Sequence, residues 1–357
     1  RLSEATIIVL TAKVGFFPLA EQLDVVGEHL SQDVARQAVW LAGLVPYKQA
    51  EAILAEIGRV TLPATSIWRR LQQYGSQFAA LEEAERAQAA ALPEKWQPPS
   101  RAEKQDQRLG VAMDGFMVHL RYEGWKEMKL GAVFALALRQ ERDASTGERS
   151  AAAHAVSVSY AAHLCGPEVF GELVFAEARR RGWEQAQDTQ VIGDGAVWIW
   201  NQAAVHFGQS RQLVDWYHAK QHLAEAARCF KGEGTPAYRL WLNSRETALY
   251  QGHAERIARE LEQAIPAKPE AAADLQREAG YFRQHQQRMN YLEMREEEYV
   301  IGSGMVEGGA KQYQARLCGP GMRWSRRGAE RLVPIRTAIL SDRFADVWHK
   351  AYNSPPS

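Results

Sequence analysis

The spacing of apolar residues predicts helices between positions 31 and 90. Apolar positions recur with a helical period from Val34 to Leu44 and again from Ala50 to Ile57. Thr65 and Ser66 then provide N-cap chemistry for a third helix, which begins at Ile67. We therefore predict an all-helical domain over residues 1–97, with a possible helix-turn-helix inside it.

The third predicted helix carries two neighbouring basic residues, Arg69 and Arg70. A helix-turn-helix module would present such residues to the major groove of DNA. Residues 1–97 hold nine basic and eleven acidic residues, so a helical packing or dimerisation domain is an alternative interpretation. A stretch that contains Pro98 and Pro99 predicts a linker over residues 98–108.

The pattern after the linker changes to apolar runs that alternate with shorter helical segments. Three strands come first and are followed by alternating helix and strand, which predicts a mixed α/β sheet over residues 109–232. The predicted strands are Leu109–Leu120, Lys126–Leu138, Ala153–Tyr160, Thr189–Asp194 and Gln212–Asp215, and the predicted helices are Pro167–Arg181, Ala196–His206 and one that begins at Trp216.

Residues 233–292 interrupt this alternation with charged sequence of helical character, and we predict that they form an inserted helical subdomain. Residues 293–345 are predicted to complete the core with a helix that follows Gly302 and a basic helix capped by Ser325. Pro334 should kink or end that basic helix. Residues 346–357 are expected to form a tail.

Composition agrees with a globular protein of more than one domain. Of the 357 residues, 46% are hydrophobic and 24% are charged, which is ordinary for a folded chain. No run of eighteen apolar residues and no leader-like segment is present, so we expect no membrane span and a cytoplasmic location. Cys165, Cys229 and Cys318 are too far apart in sequence for a zinc finger.

Charge is balanced over the whole chain, with 43 basic and 43 acidic residues, but it is uneven locally. Residues 311–343 contain eight basic residues and two acidic ones. Such a segment can attract a polyanion through counterion release, or it can be a solvated helix face. The basic residues are Lys311, Arg316, Arg323, Arg326, Arg327, Arg331, Arg336 and Arg343.

Two aspartates lie in or directly after apolar strands, where an unpaired carboxylate is costly. Asp114 lies inside the first predicted strand, and Asp194 ends the fourth and is followed by a glycine. Glu307 lies among glycines that would let a backbone or a phosphate come close. Converging carboxylates suit Mg²⁺ or Mn²⁺, and two such ions can promote phosphoryl transfer. Each aspartate could instead cap the turn or helix that follows it.

The segment from Asp215 to His222 places His218 and His222 one helical turn apart. Ala219 follows the first histidine, so the zinc pattern HExxH is absent. Hydrogen bonding between Asp215 and His218, or to nearby backbone, is the favoured interpretation. No P-loop and no GxGxxG motif occurs, which argues against nucleotide hydrolysis.

Taken in order, these motifs resemble a known family. The series Met-Asp114-Gly, Ile-Gly-Asp194-Gly, Asp215-Trp-Tyr-His218, Gly-Met-Val-Glu307-Gly and Gly-Met-Arg-Trp324-Ser resembles the DDE transposases of the Kra group of bacterial insertion sequences. These enzymes are similar to the wider Mutator-like assemblage, which has a ribonuclease H-like fold. The resemblance covers about residues 30 to 345.

The resemblance implies a ribonuclease H-like mixed sheet with a helical insertion, and a catalytic triad of Asp114, Asp194 and Glu307 that holds two Mg²⁺ or Mn²⁺ ions. Asp215 and His218 match the family's Cys/Asp-x-x-His motif and would support the site. If residues 233–292 belonged to the core sheet instead, Glu307 would lose its role. The replacement candidates would then be Glu296, Glu297 and Glu298.

The function expected from the resemblance is DNA transposition. The enzyme would cleave phosphodiesters at the ends of its element and join the freed 3′ hydroxyl to target DNA, as a homo-oligomer that holds two ends. The alternative is a non-catalytic DNA-binding protein derived from a transposase. The residues expected to contact double-stranded DNA are Arg69, Arg70, Lys311, Arg316, Arg323, Trp324, Arg326, Arg327 and Arg331.

Overall fold

The computed structural model describes residues 7–8, 15–16, 25–26, 30–91, 105–142 and 149–353. The strands are β1 (Ile7–Ile8), β2 (Gly15–Phe16), β3 (Val25–Val26), β4 (Leu30–Ser31), β5 (Gln105–Leu120), β6 (Gly124–Arg142), β7 (Arg149–His163), β8 (Ala186–Gly193) and β9 (Arg211–Val214).

Helices account for most of the remaining described residues. They are α1 (Gln32–Leu44), α2 (Tyr47–Glu56), α3 (Ala64–Ala90), α4 (Pro167–Arg180), α5 (Val197–His206), α6 (Trp216–Lys231), α7 (Pro236–Tyr250), α8 (Ala254–Ala264), α9 (Ala272–His285), α10 (Tyr291–Glu296), α11 (Gly304–Leu317), α12 (Arg326–Leu340) and α13 (Phe344–Asn353). Across the described ranges, none of these helices is long and apolar enough to cross a membrane.

The chain divides into two compact units. The first unit combines residues 1–82 with residues 319–357, and the second contains residues 83–318. This grouping differs from the predicted division, in which the C-terminal basic helix completes the catalytic core. It also differs from an all-helical N-terminal domain, since β1 pairs with β2 and β3 with β4 in two short antiparallel ladders.

In the first unit, the C-terminal helices pack against the N-terminal ones at very close range. A Cβ atom at Gly75 of α3 would lie 2.2 Å from the carbonyl oxygen of Arg331 in α12. Tyr74 and Trp348 pack with ring centroids 4.3 Å apart. Only glycine at position 75 allows this contact with Arg331. The N-terminal helix α3 and the C-terminal helix α12 are therefore specified as neighbours, although they are far apart in sequence.

The N-terminal helices of this unit follow the predicted apolar pattern, with one correction. Helices α1 and α2 cover the two predicted periodic runs. The third helix begins at Ala64 rather than after Ser66, and the carbonyl of Pro63 accepts from the backbone amides of Ser66 and Ile67. Ser66 is therefore inside the helix, which continues without a break to Ala90. The cap predicted at Ser325 is confirmed, because its hydroxyl accepts from the amide of Gly328.

The second unit contains a five-stranded mixed sheet with the strand order β7-β6-β5-β8-β9. Strands β5, β6 and β7 pair antiparallel, while β8 is parallel to β5 and β9 is parallel to β8. All five predicted strands are present, so the prediction of a mixed α/β sheet is confirmed.

Helices lie against both faces of this sheet, at places where glycines remove side chains. A Cβ atom at Gly131 of β6 would lie 2.6 Å from Val174 of α4, and one at Gly193 would lie 2.7 Å from Ile199 of α5. On the opposite face, Phe116 of β5 packs near Tyr313 of α11. The sheet is therefore a layer between α4 and α5 on one side and α11 on the other.

Residues 233–292 contain the helices α7, α8 and α9. They pack on α6 and on one another, with Glu260 of α8 accepting hydrogen bonds from Trp241 and Arg245 of α7. After α10 the chain returns to the sheet, where buried Gln190 of β8 donates to the carbonyl of Val300. The insertion thus leaves the sheet after β9 and returns beside β8.

Two further predicted boundaries change. Most of the predicted linker lies outside the described residues, but its last residues, 105–108, already belong to β5. Much of the predicted tail forms α13, in which Phe344, Trp348 and Ala351 are buried. Residues 354–357 lie outside the described ranges.

The two serines give a test of the cap geometry. Ser325→Ala should lower the free energy of unfolding by about 1 kcal/mol, because it removes the side chain that satisfies an orphan amide. Ser66→Ala should leave stability unchanged or raise it by a few tenths of a kcal/mol, because alanine is the better residue inside a helix. Urea denaturation of both variants, followed by circular dichroism, makes the comparison. Equal losses at the two positions would contradict this placement of the caps.

Candidate functional site

Three aspartates follow aligned positions in three neighbouring strands. Met113 of β5 is paired with Gly193 of β8, and Gly193 is paired with Val214 of β9. The next residue in each segment is an aspartate, which gives Asp114, Asp194 and Asp215. The strand register therefore brings residues separated by 80 and 21 sequence positions to one edge of the parallel part of the sheet.

Asp114 lies inside a strand and yet is only half-buried. Its strand continues to Leu120 paired with β6 alone, because the parallel pairing with β8 stops at Gly193. From Asp114 onward, one edge of β5 therefore has no strand partner among the described residues. Its Oδ1 atom accepts from the backbone amide of Gly115 at 2.6 Å. This opening explains how an apolar strand tolerates the carboxylate.

Asp194 lies in a tight turn between β8 and α5. Its Oδ1 atom accepts from the amide of Ala196 at 2.8 Å, so the interpretation as a local turn cap is also correct at this position. Gly195 has φ +113°, and a Cβ atom there would lie 2.7 Å from the ring of Tyr281. Position 195 therefore requires glycine, both because φ is positive and because a Cβ atom would collide with the Tyr281 ring.

Glu307 lies in the first turn of α11, where the helix N-terminus favours a negative charge. Of the glycines around it, Gly309 has a packing role, because a Cβ atom there would lie 2.4 Å from the ring of Tyr160. A Cβ atom at Gly304 or Gly308 would meet no described atom within 4 Å. The positions beside the backbone of Gly304 and Gly308 are therefore open.

Asp215 is fully buried and is the N-cap of α6. Its Oδ1 atom accepts from the backbone amide of His218 at 2.7 Å and lies 3.2 Å from the Nδ1 atom of the same residue. Its Oδ2 atom accepts from the backbone amide of Ser303. Burial raises the pKa of Asp215, but the hydrogen bonds from His218 and Ser303 outweigh this effect and hold the pKa below its usual range. The predicted Asp215–His218 contact is present.

The charges of the site act on one another. Burial raises the pKa of Asp114, and the negative charges of Asp194 and Glu307 raise it further. The hydrogen bond that the imidazole donates to Asp215 raises the pKa of His218 despite its desolvation, and the charges of Asp194 and Asp114 contribute to this increase. The charges of Asp194, Glu307 and His218 thus all act on the pKa of Asp114, the two carboxylates raising it and the imidazole lowering it.

Within the described residues, Asp215, His218 and Glu307 form a group whose possible ligand atoms all lie within 4.8 Å of one another. Asp114 and Asp194 are not part of that close group. Both carboxylate oxygens of Asp215 already accept backbone amides, whereas Glu307 has a longer contact of 3.4 Å with the hydroxyl of Ser303. A cation at this site would therefore find Glu307 more available than Asp215.

The replacement candidates for the third carboxylate lie elsewhere. Arg108, near the start of β5, donates to the carbonyl oxygens of Glu297 and Glu298. Arg211, the first residue of β9, forms an ion pair with Glu297. These glutamates, and Glu296 directly before them, are thus at the amino ends of the parallel strands, opposite to Asp114. We exclude them from the candidate site.

The predicted DNA-contacting residues differ in exposure. Arg316 is only 1% exposed, so it offers no charge at the surface and the prediction for this residue is wrong. Lys311 and Arg316 belong to the second unit, and the other predicted residues belong to the first. In the first unit Arg69, Arg323 and Arg327 are exposed, while Arg70, Trp324, Arg326 and Arg331 are partly buried.

Three of the partly buried residues have intramolecular contacts. Arg70 donates to Gln73, Arg326 to Glu330, and Arg331 to Gln72. These contacts anchor the guanidinium groups within the first unit. By their exposure, Arg69, Arg323 and Arg327 are the better candidates for a polyanion contact.

Helix α9 of the insertion adds side chains that sequence analysis missed. The hydroxyl of Tyr281 donates to the carbonyl oxygen of Asp194 at 3.0 Å. The Tyr281 ring stacks on His222, with centroids 3.6 Å apart. Buried Glu278 accepts at 2.7 Å from His222. Only the spacing of His218 and His222 hinted at this cluster, because α9 carries no recognisable motif.

Comparison with known proteins matches residues 177–344 to the uncharacterised protein family UPF0236. The matched segment includes Asp194, Asp215, His218 and Glu307 but begins after Asp114. No curated protein matches the chain. The similarity therefore covers β8, β9, the insertion and α11, and it carries no function with it.

Asp215→Asn tests the electrostatic link to His218. The pKa of His218, measured by NMR with EDTA present, should fall toward 6.5, its ordinary value. Stability should drop by about 1.5–3 kcal/mol, the usual contribution of hydrogen bonds to a charged group.

The loss of stability in Asp215→Asn should depend on pH in a defined direction. A raised His218 pKa contributes stability below the unfolded value and loses it as pH rises through the folded value, so the drop should be larger at pH 6 than at pH 9. Asp274→Asn, which alters an exposed ion pair with Arg277, serves as the control and should show little effect at either pH. An unchanged His218 pKa in Asp215→Asn would refute the link.

Proposed function

We propose that the protein is a divalent-metal-dependent DNA transposase that cleaves phosphodiesters at the ends of its element and joins them to target DNA. The observation that carries this proposal is the alignment of Asp114 and Asp194 at one edge of the sheet, together with a Glu307 whose charge acts on the pKa of Asp114. Within the sheet, the two aspartates belong to the first strand and to the end of the fourth, and Glu307 belongs to a late helix. The same positions are implied by the resemblance to ribonuclease H-like transposases.

The donor set fits Mg²⁺ or Mn²⁺. Carboxylate oxygens are the preferred ligands of these ions, and mutual repulsion already raises the pKa of Asp114 after the larger effect of burial. A divalent cation would relieve that repulsion. Asp114, Asp194 and Glu307 would hold it. When bound, a pair of such ions supplies an activated oxygen nucleophile and stabilises the leaving oxygen.

The surrounding residues have supporting roles in this proposal. Asp215 fixes the imidazole of His218 through Nδ1 and keeps it near Asp114 and Asp194. Glu307 itself lies in the first turn of α11, and helix N-termini of this kind favour phosphate groups. Open space at Gly304 and Gly308 leaves room for a DNA backbone beside Glu307.

Double-stranded DNA is the proposed partner, in the form of element ends and target DNA. Exposed basic residues of both units support this choice, notably Arg69, Arg323 and Arg327 in the first and Lys311 in the second. Since two ends must be joined in one reaction, we propose that the working form is a homo-oligomer acting in the cytoplasm. The competing proposal is a DNA-binding protein that no longer cleaves.

Amide substitutions separate these two proposals. Asp114→Asn, Asp194→Asn and Glu307→Gln should each fold and bind DNA but should neither cleave nor join it. At Mn²⁺ concentrations about 100 times Kd, the wild type should gain about 2.7 kcal/mol of stability and the variants much less. Thermal denaturation with and without Mn²⁺ provides the measurement, and Glu297→Gln serves as the control because its carboxylate is at the far end of the strands.

The combined triple variant should be no more defective in cleavage than a single one, because members of one catalytic unit are not additive. If the wild type itself gains no stability from Mn²⁺, the enzymatic proposal fails and the non-catalytic one takes its place. Near-normal cleavage by a folded Glu307→Gln protein would remove Glu307 from the set.

Salt dependence of DNA binding tests the basic residues of the first unit. The double variant Arg323→Ala, Arg327→Ala should lower the slope of log K against log salt by about 1.8, since each phosphate contact contributes about 0.9. Arg239→Ala, Arg256→Ala removes the same charge from exposed positions of the insertion and should leave the slope unchanged. Equal slopes in all three proteins would assign Arg323 and Arg327 to a solvated face.

A further inference from the structure

Helix α9 contacts the turn that carries Asp194 at two points. The hydroxyl of Tyr281 donates to the carbonyl oxygen of Asp194 at 3.0 Å. At the next residue, the position of a Gly195 Cβ atom is 2.7 Å from the Tyr281 ring and 3.3 Å from the Nε2 atom of His285. The insertion therefore packs directly on the backbone of the turn, although it is distant from the turn in sequence.

The conformation of this turn decides where the Asp194 carboxylate points. Gly195 has φ +113°, a backbone geometry that side-chain-bearing residues rarely adopt. The Asp194 carboxylate closes the turn by accepting from the amide of Ala196. Because the peptide that carries the Asp194 carbonyl also leads into Gly195, a hydrogen bond to that carbonyl restrains the rotation that would reopen the turn.

The side chains behind Tyr281 hold it in place. Its ring stacks on His222 of α6 at a centroid distance of 3.6 Å and an interplanar angle of 18°. His222 is fixed in turn by the carboxylate of Glu278, which is 1% exposed and also accepts from Arg277. A buried ion pair costs free energy unless its geometry is kept. Glu278 is therefore held in one position, it fixes His222, and the stacked His222 ring orients the ring of Tyr281.

The protonation states suit this role. Burial, with contributions from Asp194 and Asp215, raises the pKa of Tyr281 far above its ordinary value, so its hydroxyl stays a donor. Burial lowers the pKa of His285 to about 4, which keeps its imidazole neutral near pH 7. Neither group therefore places a charge of its own against the Asp194 turn.

We infer that Tyr281 is a positioning residue for Asp194, and that through it the helical insertion prepares the carboxylate to bind a divalent cation. This inference rests on the proposed function for its metal-binding part. Outer hydrogen bonds of this kind restrict the orientation of ligands, and their loss commonly weakens metal affinity by about 10-fold or more. Tyr281 itself touches neither cation nor DNA in this scheme.

Tyr281→Phe tests the inference because it removes only the hydroxyl and keeps the stacked ring. Hydrogen–deuterium exchange of the metal-free protein should show faster exchange in a peptide covering residues 190–200. Mn²⁺ affinity, measured by calorimetry, should fall about 10-fold. Cleavage of end DNA should be slow at limiting Mn²⁺ and should return toward the wild-type rate at saturating Mn²⁺, which a general loss of folding would not produce.

Tyr238→Phe is the matched control, since this tyrosine lies on α7 and the described hydrogen bond of its residue uses the backbone amide. It should match the wild type in exchange, affinity and rate. Wild-type exchange and Mn²⁺ affinity in Tyr281→Phe would overturn the inference. A wild type that binds no Mn²⁺ would overturn both the proposed function and the metal-binding part of this inference. Faster exchange and weaker Mn²⁺ affinity in Tyr281→Phe, but not in Tyr238→Phe, would support both.

Discussion

The buried carboxylate of Asp215 is the interaction on which the candidate site depends. It caps α6, accepts from the amide of Ser303 just before α11, and binds the imidazole of His218. One fully buried side chain thus joins the last strand of the sheet, the helix that leads into the insertion, and the helix that carries Glu307. A buried carboxylate is tolerable only with such a complete set of donors. Loss of any donor would leave a charge without compensation.

The sheet supplies the second constraint, which is positional. Parallel strands end at a common edge, so the register that pairs Met113 with Gly193 and Gly193 with Val214 also aligns the three following aspartates. Burial raises the pKa of Asp114, and the charges of Asp194 and Glu307 raise it further. Asp194 and Asp215 each cap the segment that follows them, whereas Asp114 lies inside its strand. The binding of a divalent cation at this edge is our proposal.

Much of the fold and part of the candidate site could be predicted from the sequence, because the informative signals were local. Apolar periodicity located all five strands of the large sheet, and the Asp215–His218 contact followed from spacing on one helix turn. The start of α3 could not be placed, since the amide of Ala64 donates to the carboxylate of Glu51, a partner thirteen residues away that no local pattern reveals. Arg316 and Tyr281 were misjudged or missed because burial and contacts across a long sequence separation leave no local pattern.

The return of the chain after its long insertion has a consequence for folding. The bond between Asp215 and Ser303 spans 88 residues, and contacts of high sequence separation form late because loop-closure entropy opposes them. Glu307 joins Asp215 and His218 only when α11 has packed on the sheet across this long sequence separation. The nascent protein therefore assembles its mutually repelling carboxylates only at the end of folding. Under the proposed function, a half-made chain would carry no complete centre to bind metal or cleave DNA.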